Sequence, residues 1–511
     1  MTSSGIYVTV HRTPIMSYPN FLAIDLGAES GRVILGGLQE NRLQLQEVHR
    51  FENRPVRVGY NLYWDVLRLW TEIQHGLALA CRQAGDNLVS LGVDTWGVDF
   101  ALLAADDELI GNPYHYRDRR TDGMLEQAYR VIPREEIYRQ TGIQFMQINS
   151  LYQLLAMSRV ASPLLAAARA FLNMPDLFSF WLSGEKASEF TIATTTQCYN
   201  PLDGDWAHSM LASLGIPSQI FGQIVPPGTV LGVLRPTLVA DINCSPVKVI
   251  AAAGHDTACA VAAVPAASLD YIYLSSGTWS LIGIESPQPI INQQSLAFNL
   301  TNEGGVNGTF RVLKNIMGMW LLQECRREWA LQGQSYSYAE LTQIAAQAPP
   351  LQSFVRPSDP RFLHPGDAQL GTMVARIQAF CQETRQLIPS SIGEVTRCIL
   401  ESLALEYRRT VEQLDAITAK HLPIIHIIGG GSRNQLLNQM TADVTGRVVV
   451  SGPVEATAIG NILLQAIATS HLASLEEARS LVRLSGEITT WEPAGTSGWD
   501  DAYARYLAWT V

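Results

Sequence analysis

Two stretches in opposite halves of this chain share one layout. FLAIDLGAESGRVILGGL (21–38) and YIYLSSGTWSLIGIE (271–285) each read as an apolar strand, a turn of small residues and a second apolar strand. A recurring supersecondary pattern predicts a duplicated architecture with a boundary near residue 266. The length, 511 residues, leaves room for two to four domains. After the first hairpin, LQLQEVHRF (43–51) reads as a third strand, and 65–84 has helical periodicity. VSLGVDTWGVDFALLA (89–104) gives two short strands around TWG, so the first unit is α/β with a mixed sheet. Residues 120–185 read as mainly helical, and a Thr-rich stretch, TIATTTQ (191–197), follows. In the second half, helices are expected at about 316–331, 368–386 and 391–419. Beyond them come a buried strand, a glycine loop and a helix (423–444), then an Ala/Gly-rich helix (452–468) suited to close packing.

Composition excludes several classes. Apolar residues make up 47% and charged residues 16%, which is incompatible with a disordered chain. A net charge of −11 argues against general binding of nucleic acid or anionic membrane. It leaves open a small anionic ligand held by a few aimed backbone amides. The apolar run 249–269 contains His255, Asp256 and Pro265, so it reads as a strand followed by a helix and not as a membrane span. Residues 1–20 lack the apolar core of a signal peptide and read as a disordered extension. The seven cysteines are widely spaced with no C-x-x-C, which argues against structural zinc. They read as buried, reduced thiols of a cytoplasmic protein. Cys381 and Cys398 fall on neighbouring helices, where spacing alone does not decide whether they bond.

Six places carry candidate chemistry. In DLGAESGR (25–32), Gly27 and Gly31 free the backbone to face a ligand, Asp25 ends a buried strand where it could hold water on Mg²⁺, and Arg32 could face phosphate. Ser275 to Thr278 form a second donor-rich turn. Each turn taken alone is also an ordinary hairpin; facing each other, the two would clamp a polyphosphate. IIGGGSRNQ (427–435) permits close approach of a flat ligand or phosphate, yet fits neither G-x-G-x-x-G nor the Walker pattern. Asp256 sits where an apolar strand becomes a small-residue helix. There it is either a helix cap or a base for a substrate hydroxyl. Trp96 offers an apolar wall for a sugar face, with Asp94, Asp99, Arg117 and Asp118 as hydrogen-bonding groups; the alternative is a salt-bridged loop around a core Trp. Asn315 reads as a helix N-cap or an amide aimed into a cleft, with Gln323 two turns on along the same face. There is no Ser-His-Asp pattern and no H-E-x-x-H.

These strings, with YRDRRT, GIQFMQINSLYQL, MPDLFSF, GHDTA, NLTNEGG, RVLKNIMGMWLLQ and GPVEATAIGN, resemble the FGGY carbohydrate kinases of the actin-like ATPase superfamily, in family order from residue 21 to about 470. The resemblance implies an α/β fold of two RNase-H-like domains with an interdomain cleft. The expected division is an N-terminal domain over 21–265, for sugar and phosphate, and a C-terminal domain over 266–511, for nucleotide. It implies ATP-dependent phosphorylation of a ketose, with the 1-hydroxyl of L-rhamnulose favoured and L-fuculose or L-xylulose as alternatives. A non-kinase actin-like ATPase would share the fold but lack a sugar pocket. By resemblance, Ala28, Glu29, Ser30, Gly31 and Arg32 line the ATP phosphates, joined by Thr278, Gln323 and Gly430. Asp25 holds Mg²⁺, and Gly97, His255, Asp256, Thr257 and Asn315 surround the sugar. Asp256 is the general base. Two positions depart from the family pattern: Ile192 stands where Asn is usual, and Glu29 stands in a phosphate turn, where it must point outward. The partners implied are a small sugar, neither nucleic acid nor membrane, and a monomer or small homo-oligomer.

Overall fold

The computed structural model describes residues 18–508 apart from 41, 367–370, 487 and 496–497. The expected N-terminal extension falls largely on residues 1–17, outside the described residues, and the first strand begins at Asn20. Two mixed sheets organise the chain. The first holds β1 (Asn20–Leu26), β2 (Ser30–Gln39), β3 (Arg42–Glu52), β4 (Leu88–Thr95), β5 (Thr229–Val233) and β6 (Lys248–Ala251), in the order β5-β6-β4-β1-β2-β3. The second holds β7 (Ile272–Ser276), β8 (Trp279–Ser286), β9 (Thr301–Gly304), β10 (Phe310–Met317), β11 (Ile424–Ile428), β12 (Val448–Ser451) and β13 (Thr490–Trp491), in the order β9-β10-β8-β7-β11-β12-β13.

Laid over each other, β3-β2-β1-β4-β6-β5 and β10-β8-β7-β11-β12-β13 have the same sequence of directions. Two antiparallel pairings are followed by two parallel ones and a last antiparallel one. The duplicated hairpins are therefore equivalent strand pairs of two equivalent sheets. Strands β1 and β7 sit centrally and pair in parallel on one side. Such strands are covered on both faces, which is why their sequences are almost unbroken apolar runs.

Helices cover the sheets: α1 (Val66–Ala84), α2 (Met174–Ser183), α3 (Phe190–Thr195), α4 (Asp256–Ala262), α5 (Trp320–Leu331), α6 (Ile392–Thr418), α7 (Gln435–Thr445) and α8 (Ala456–Ala468). Helix α1 starts where Asp65 accepts from the Arg68 amide at 3.2 Å and buries Leu69, Ile73 and Leu77, a four-residue repeat on one face. Helix α8 ties the halves together. Its Ala458, Ile462 and Ala466 pack on Phe21, Ala23 and Ile34 of the first sheet. Gln465 Nε2 donates to the Leu22 carbonyl at 2.9 Å, and Ser90 Oγ donates to Gln465 Oε1 at 2.8 Å. On another side α8 meets α4 so closely that a Cβ on Gly460 would lie 1.8 Å from the Cys259 carbonyl oxygen.

Two expectations need correction. The helix expected from about 316 begins at Trp320; Asn315 lies inside β10, opposite Leu281 of β8, and is neither an N-cap nor on a helical face with Gln323. Strand β10 is buried along nearly its whole length, so no polar alternation marked it as a strand. The cysteines are not all thiols. Cys81, near the end of α1, and Cys244, just after the helix Pro236–Ile242, form a disulfide with their Cα atoms 5.5 Å apart. Elements far apart in sequence meet there, and spacing could not reveal it. Cys198, Cys259, Cys325, Cys381 and Cys398 are free and buried. Among the described residues no helix is long and apolar enough to cross a membrane.

Candidate active site

A cavity of about 480 Å³ opens between the two sheets. The turn after β1 holds its shape by backbone bonds: the Gly27 amide donates to Ser30 O at 3.0 Å, and Asn53 donates from Nδ2 to Gly27 O at 2.8 Å and from its amide to Glu29 O at 2.9 Å. Gly27, Ala28, Glu29 and Ser30 line the cavity, with Glu29 exposed at the tip. Gly31 does not line it. A Cβ there would lie 2.3 Å from the Phe51 ring, so this glycine serves packing. Across the cavity stands the equivalent turn of the second sheet, where Gln323 Nε2 donates to Thr278 Oγ1 at 3.3 Å. The glycine loop after β11 closes over it. Gly429 has φ +81°, and a Cβ on Gly431 would lie 2.0 Å from Ser276 Oγ, so backbone approaches where a side chain could not. Gly430 lines the cavity beside them.

Among the described residues, Ser276 Oγ and Gln323 Oε1 are buried without a hydrogen-bond partner. Unpaired polar atoms at the rim of a donor-rich turn fit a polar ligand such as a nucleotide. Below the first turn, Asp25 is buried and paired with Arg32, which also pairs with Glu455. Burial raises the Asp25 carboxyl, Arg32 opposes this, and Asp256 and Glu455 raise it further. Burial and then Asp25 push Asp94 well up, and its Oδ1 has no partner among the described residues. Arg32 is one guanidinium beside Asp25 and Glu455; among the described residues no three His, Cys, Asp or Glu side chains are grouped to hold a metal ion, so a divalent cation at Asp25 would take its remaining ligands from phosphate and water.

Asp256 begins α4, beside the two turns. Its Oδ1 accepts from the Thr257 amide at 2.5 Å and from Thr257 Oγ1 at 3.1 Å, and lies 3.3 Å from His255 Nε2. His255 occupies the N-cap position; its buried ring reaches the second sheet, with Nδ1 2.9 Å from Arg311 Nη2 and 3.3 Å from Glu303 Oε2. Glu303 Oε1 accepts from Asn315 Nδ2 at 3.2 Å. Gln144 Oε1 accepts from the Asn315 amide at 2.8 Å, and Gln144 Nε2 donates to the Asn315 carbonyl at 3.1 Å. Burial would raise Glu303, but the neighbouring His255 and Arg311 outweigh it and hold this carboxyl at about 2. Gly97, His255, Asp256, Thr257, Asn315 and Trp96 all line the cavity, and a Cβ on Gly97 would lie 3.5 Å from His255 Nε2.

The loop after β4 is mostly scaffold. Asp99 accepts from Trp64 Nε1 at 2.6 Å, Trp96 Nε1 at 3.0 Å, the Tyr116 amide and Gln153, while burial pushes its carboxyl up to about 6. Asp118 accepts from the Leu62 amide at 2.7 Å, and Arg117 stacks 3.8 Å over the Trp320 ring. These are the salt-bridged loop and core Trp of the alternative reading; of Trp96, Asp94, Asp99, Arg117 and Asp118, Trp96 alone lines the cavity, beside Gly97, Val98 and Tyr116. Val98 beside it has φ +67°, rare for a β-branched residue, and is held by Thr195, Ser150 and Gln153. Sequence reading passed over Glu303, Arg311, Gln144 and Glu455. For Arg311 and Glu303, the available signal was a charged residue inside each of two otherwise buried strands.

The family model for the N-terminal domain of the FGGY carbohydrate kinases matches residues 20–263, and that for the C-terminal domain matches 272–469. A rhamnulokinase of Bacteroides thetaiotaomicron is 44% identical, covering 95% of this chain and 98% of the relative. A rhamnulokinase of Bacillus subtilis is 40% identical, covering 93% and 95%. A crystal structure of gluconate kinase from Lactobacillus acidophilus has the same fold at TM-score 0.79, with 16% identity and coverage of 96% and 97%. With each hairpin unit matched by its own domain model and relatives alike along nearly the whole length, this chain belongs to the FGGY family of carbohydrate kinases.

Proposed function

We propose that the protein transfers the γ-phosphoryl group of ATP to the 1-hydroxyl of L-rhamnulose, in the cytoplasm, with Asp256 as general base. The observation that carries this reading is one carboxylate at the start of α4 lining a single cavity with both donor-rich turns, His255, Asn315 and Trp96. The acceptor sugar is taken from relatives of 40–44% identity that bear the name rhamnulokinase. ATP would supply the transferable phosphoryl group, and Asp25 would hold Mg²⁺, which would neutralise phosphate charge. Ala28 to Ser30, with Thr278, Gln323 and Gly430, hold the polyphosphate and nucleotide. Arg32, tied to Asp25 and Glu455, fixes the acidic floor. Gly31 acts by letting the turn pack on Phe51. His255, Thr257, Asn315 and Gly97 surround the sugar. In phosphoryl transfer, placing the acceptor and screening charge do most of the work, so a site built from backbone turns and one base is sufficient. The first unit would contribute the sugar site and the second the nucleotide site, divided near residue 266.

The test is sugar-stimulated ADP release from Mg-ATP across L-rhamnulose, L-fuculose, L-xylulose, D-xylulose and glycerol. The expected result is the highest kcat/KM for L-rhamnulose. A preference for another sugar overturns the acceptor and keeps the kinase. No stimulation by any of them, in protein that binds ATP, overturns the kinase reading.

A further inference from the structure

Asp256 presents two unequal oxygens. Oδ1 faces three potential donors: the Thr257 amide, the Thr257 hydroxyl and His255 Nε2. Oδ2 accepts no hydrogen bond among the described residues. Whether His255 donates to Oδ1 depends on where its proton sits, and that is decided on the other side of the ring. Nδ1 lies 2.9 Å from Arg311 Nη2. Nδ1 thus has two neighbours, the Arg311 guanidinium, which only donates, and Glu303 Oε2 at 3.3 Å, which only accepts; the shorter contact favours Nδ1 as an acceptor. A neutral imidazole that accepts at Nδ1 carries its proton on Nε2. The same Arg311 Nη2 carries a second N–H, which reaches Glu303 Oε2 at 3.2 Å. Arg311 is itself locked: its side chain is fully buried, and Nε donates to the Gly304 carbonyl at 2.8 Å. Glu303 is locked through Asn315 Nδ2 on its other oxygen.

We propose that Arg311, held by Glu303, is a positioning residue that fixes His255 as the neutral Nε2–H tautomer, so that the ring pins Oδ1 of Asp256 and leaves Oδ2 as the atom that accepts the sugar hydroxyl proton. The proposal deepens the kinase reading and rests on it for the last step. Its direction is specific. Were the proton on Nδ1, it would point at Arg311, and the Nε2 lone pair would face the Asp256 carboxylate. Asp256 would then lose one of three restraints and gain a repulsion, and its free oxygen would swing from the line of attack. Arg311 and Glu303 come from the second sheet and His255 from the end of the first unit. The base is therefore aligned only when both sheets meet at this end of the cavity.

The direct test is the ¹⁵N spectrum of histidine-labelled wild-type protein near pH 7.5, with the His255 signals assigned by their loss in His255→Gln. The Nε2–H neutral tautomer is expected; an Nδ1–H tautomer or an imidazolium overturns the proposal. The kinetic test is Arg311→Met. Sugar-dependent kcat should fall on the order of 10- to 100-fold with the KM for ATP within twofold, and the His255 signals should shift toward the Nδ1–H form. Adding Glu303→Gln should recover several-fold of the lost kcat. Asn315 holds the amide oxygen at the Oε1 position, which turns the amide nitrogen, a donor, toward Nδ1. Unchanged kcat in the single variant, or no recovery in the double, overturns the proposal. If Arg311→Met does not fold, the wild-type spectrum decides. A wild-type protein with the expected tautomer but no sugar-stimulated ADP release overturns the kinase reading and leaves the tautomer assignment standing.

Discussion

Asp256→Asn is expected to lower kcat by roughly 100-fold or more while sugar affinity stays within a few-fold. Asparagine keeps the shape of the side chain, and its amide oxygen can still take the bonds from Thr257 that hold Oδ1 now. The amide nitrogen then occupies the Oδ2 position, a donor where the reaction needs an acceptor. The sugar hydroxyl is still bound but its proton has no destination. Steady-state ADP release gives kcat, and calorimetric titration of the sugar gives affinity. Near-normal turnover would remove Asp256 from the role of base, and a collapse of sugar affinity would make it a binding group instead.

Gly460→Val is the second large effect, on stability. A Cβ at 460 would lie 1.8 Å from the Cys259 carbonyl oxygen and 2.5 Å from its carbon, so the clash is with backbone that cannot turn aside. Helices α4 and α8 would have to separate, losing packing that includes Ala258, Ala262 and Leu464. Overpacking of this kind costs more than about 3 kcal/mol when no rotamer relieves it. Urea denaturation should show a lower midpoint, and since α4 carries Asp256 at its first position, the residual folded enzyme should turn over more slowly. A midpoint equal to that of the wild type would mean that the two helices do not touch as described. Gly460→Ala is the milder probe and should fall in the same direction.

Much of this was legible in the chain because it depends on local pattern. Small residues between apolar strands disclosed both hairpin turns, and Asp256 followed by a small-residue helix disclosed a carboxylate at a helix start. What escaped depends on contacts between segments distant in sequence. Asn315 reads as a cap or as an amide aimed into a cleft, and the pattern does not separate the two because β10 is buried almost throughout and shows no alternation of polar and apolar residues. Cys81 and Cys244 are 163 residues apart, and no spacing rule joins them. Gly31, placed with the phosphate-binding residues on pattern, packs on Phe51, a contact visible only once β3 lies beside β2. Arg311 and Glu303 were hidden for the same reason: each is a charged residue in a buried strand until His255, from the other half of the chain, is set beside them.

The position of α8 bears on how the molecule is made. Its residues Ala458, Ile462 and Ala466 cover Phe21, Ala23 and Ile34, and its Gln465 satisfies the Leu22 carbonyl. On a ribosome the first sheet is complete once residue 251 has emerged, but its cover is synthesised roughly 200 residues later, which at ordinary elongation rates is about 10–40 s. For that interval the nascent first half carries an apolar sheet face with nothing on it. The first unit therefore reaches its final packing only near the end of translation.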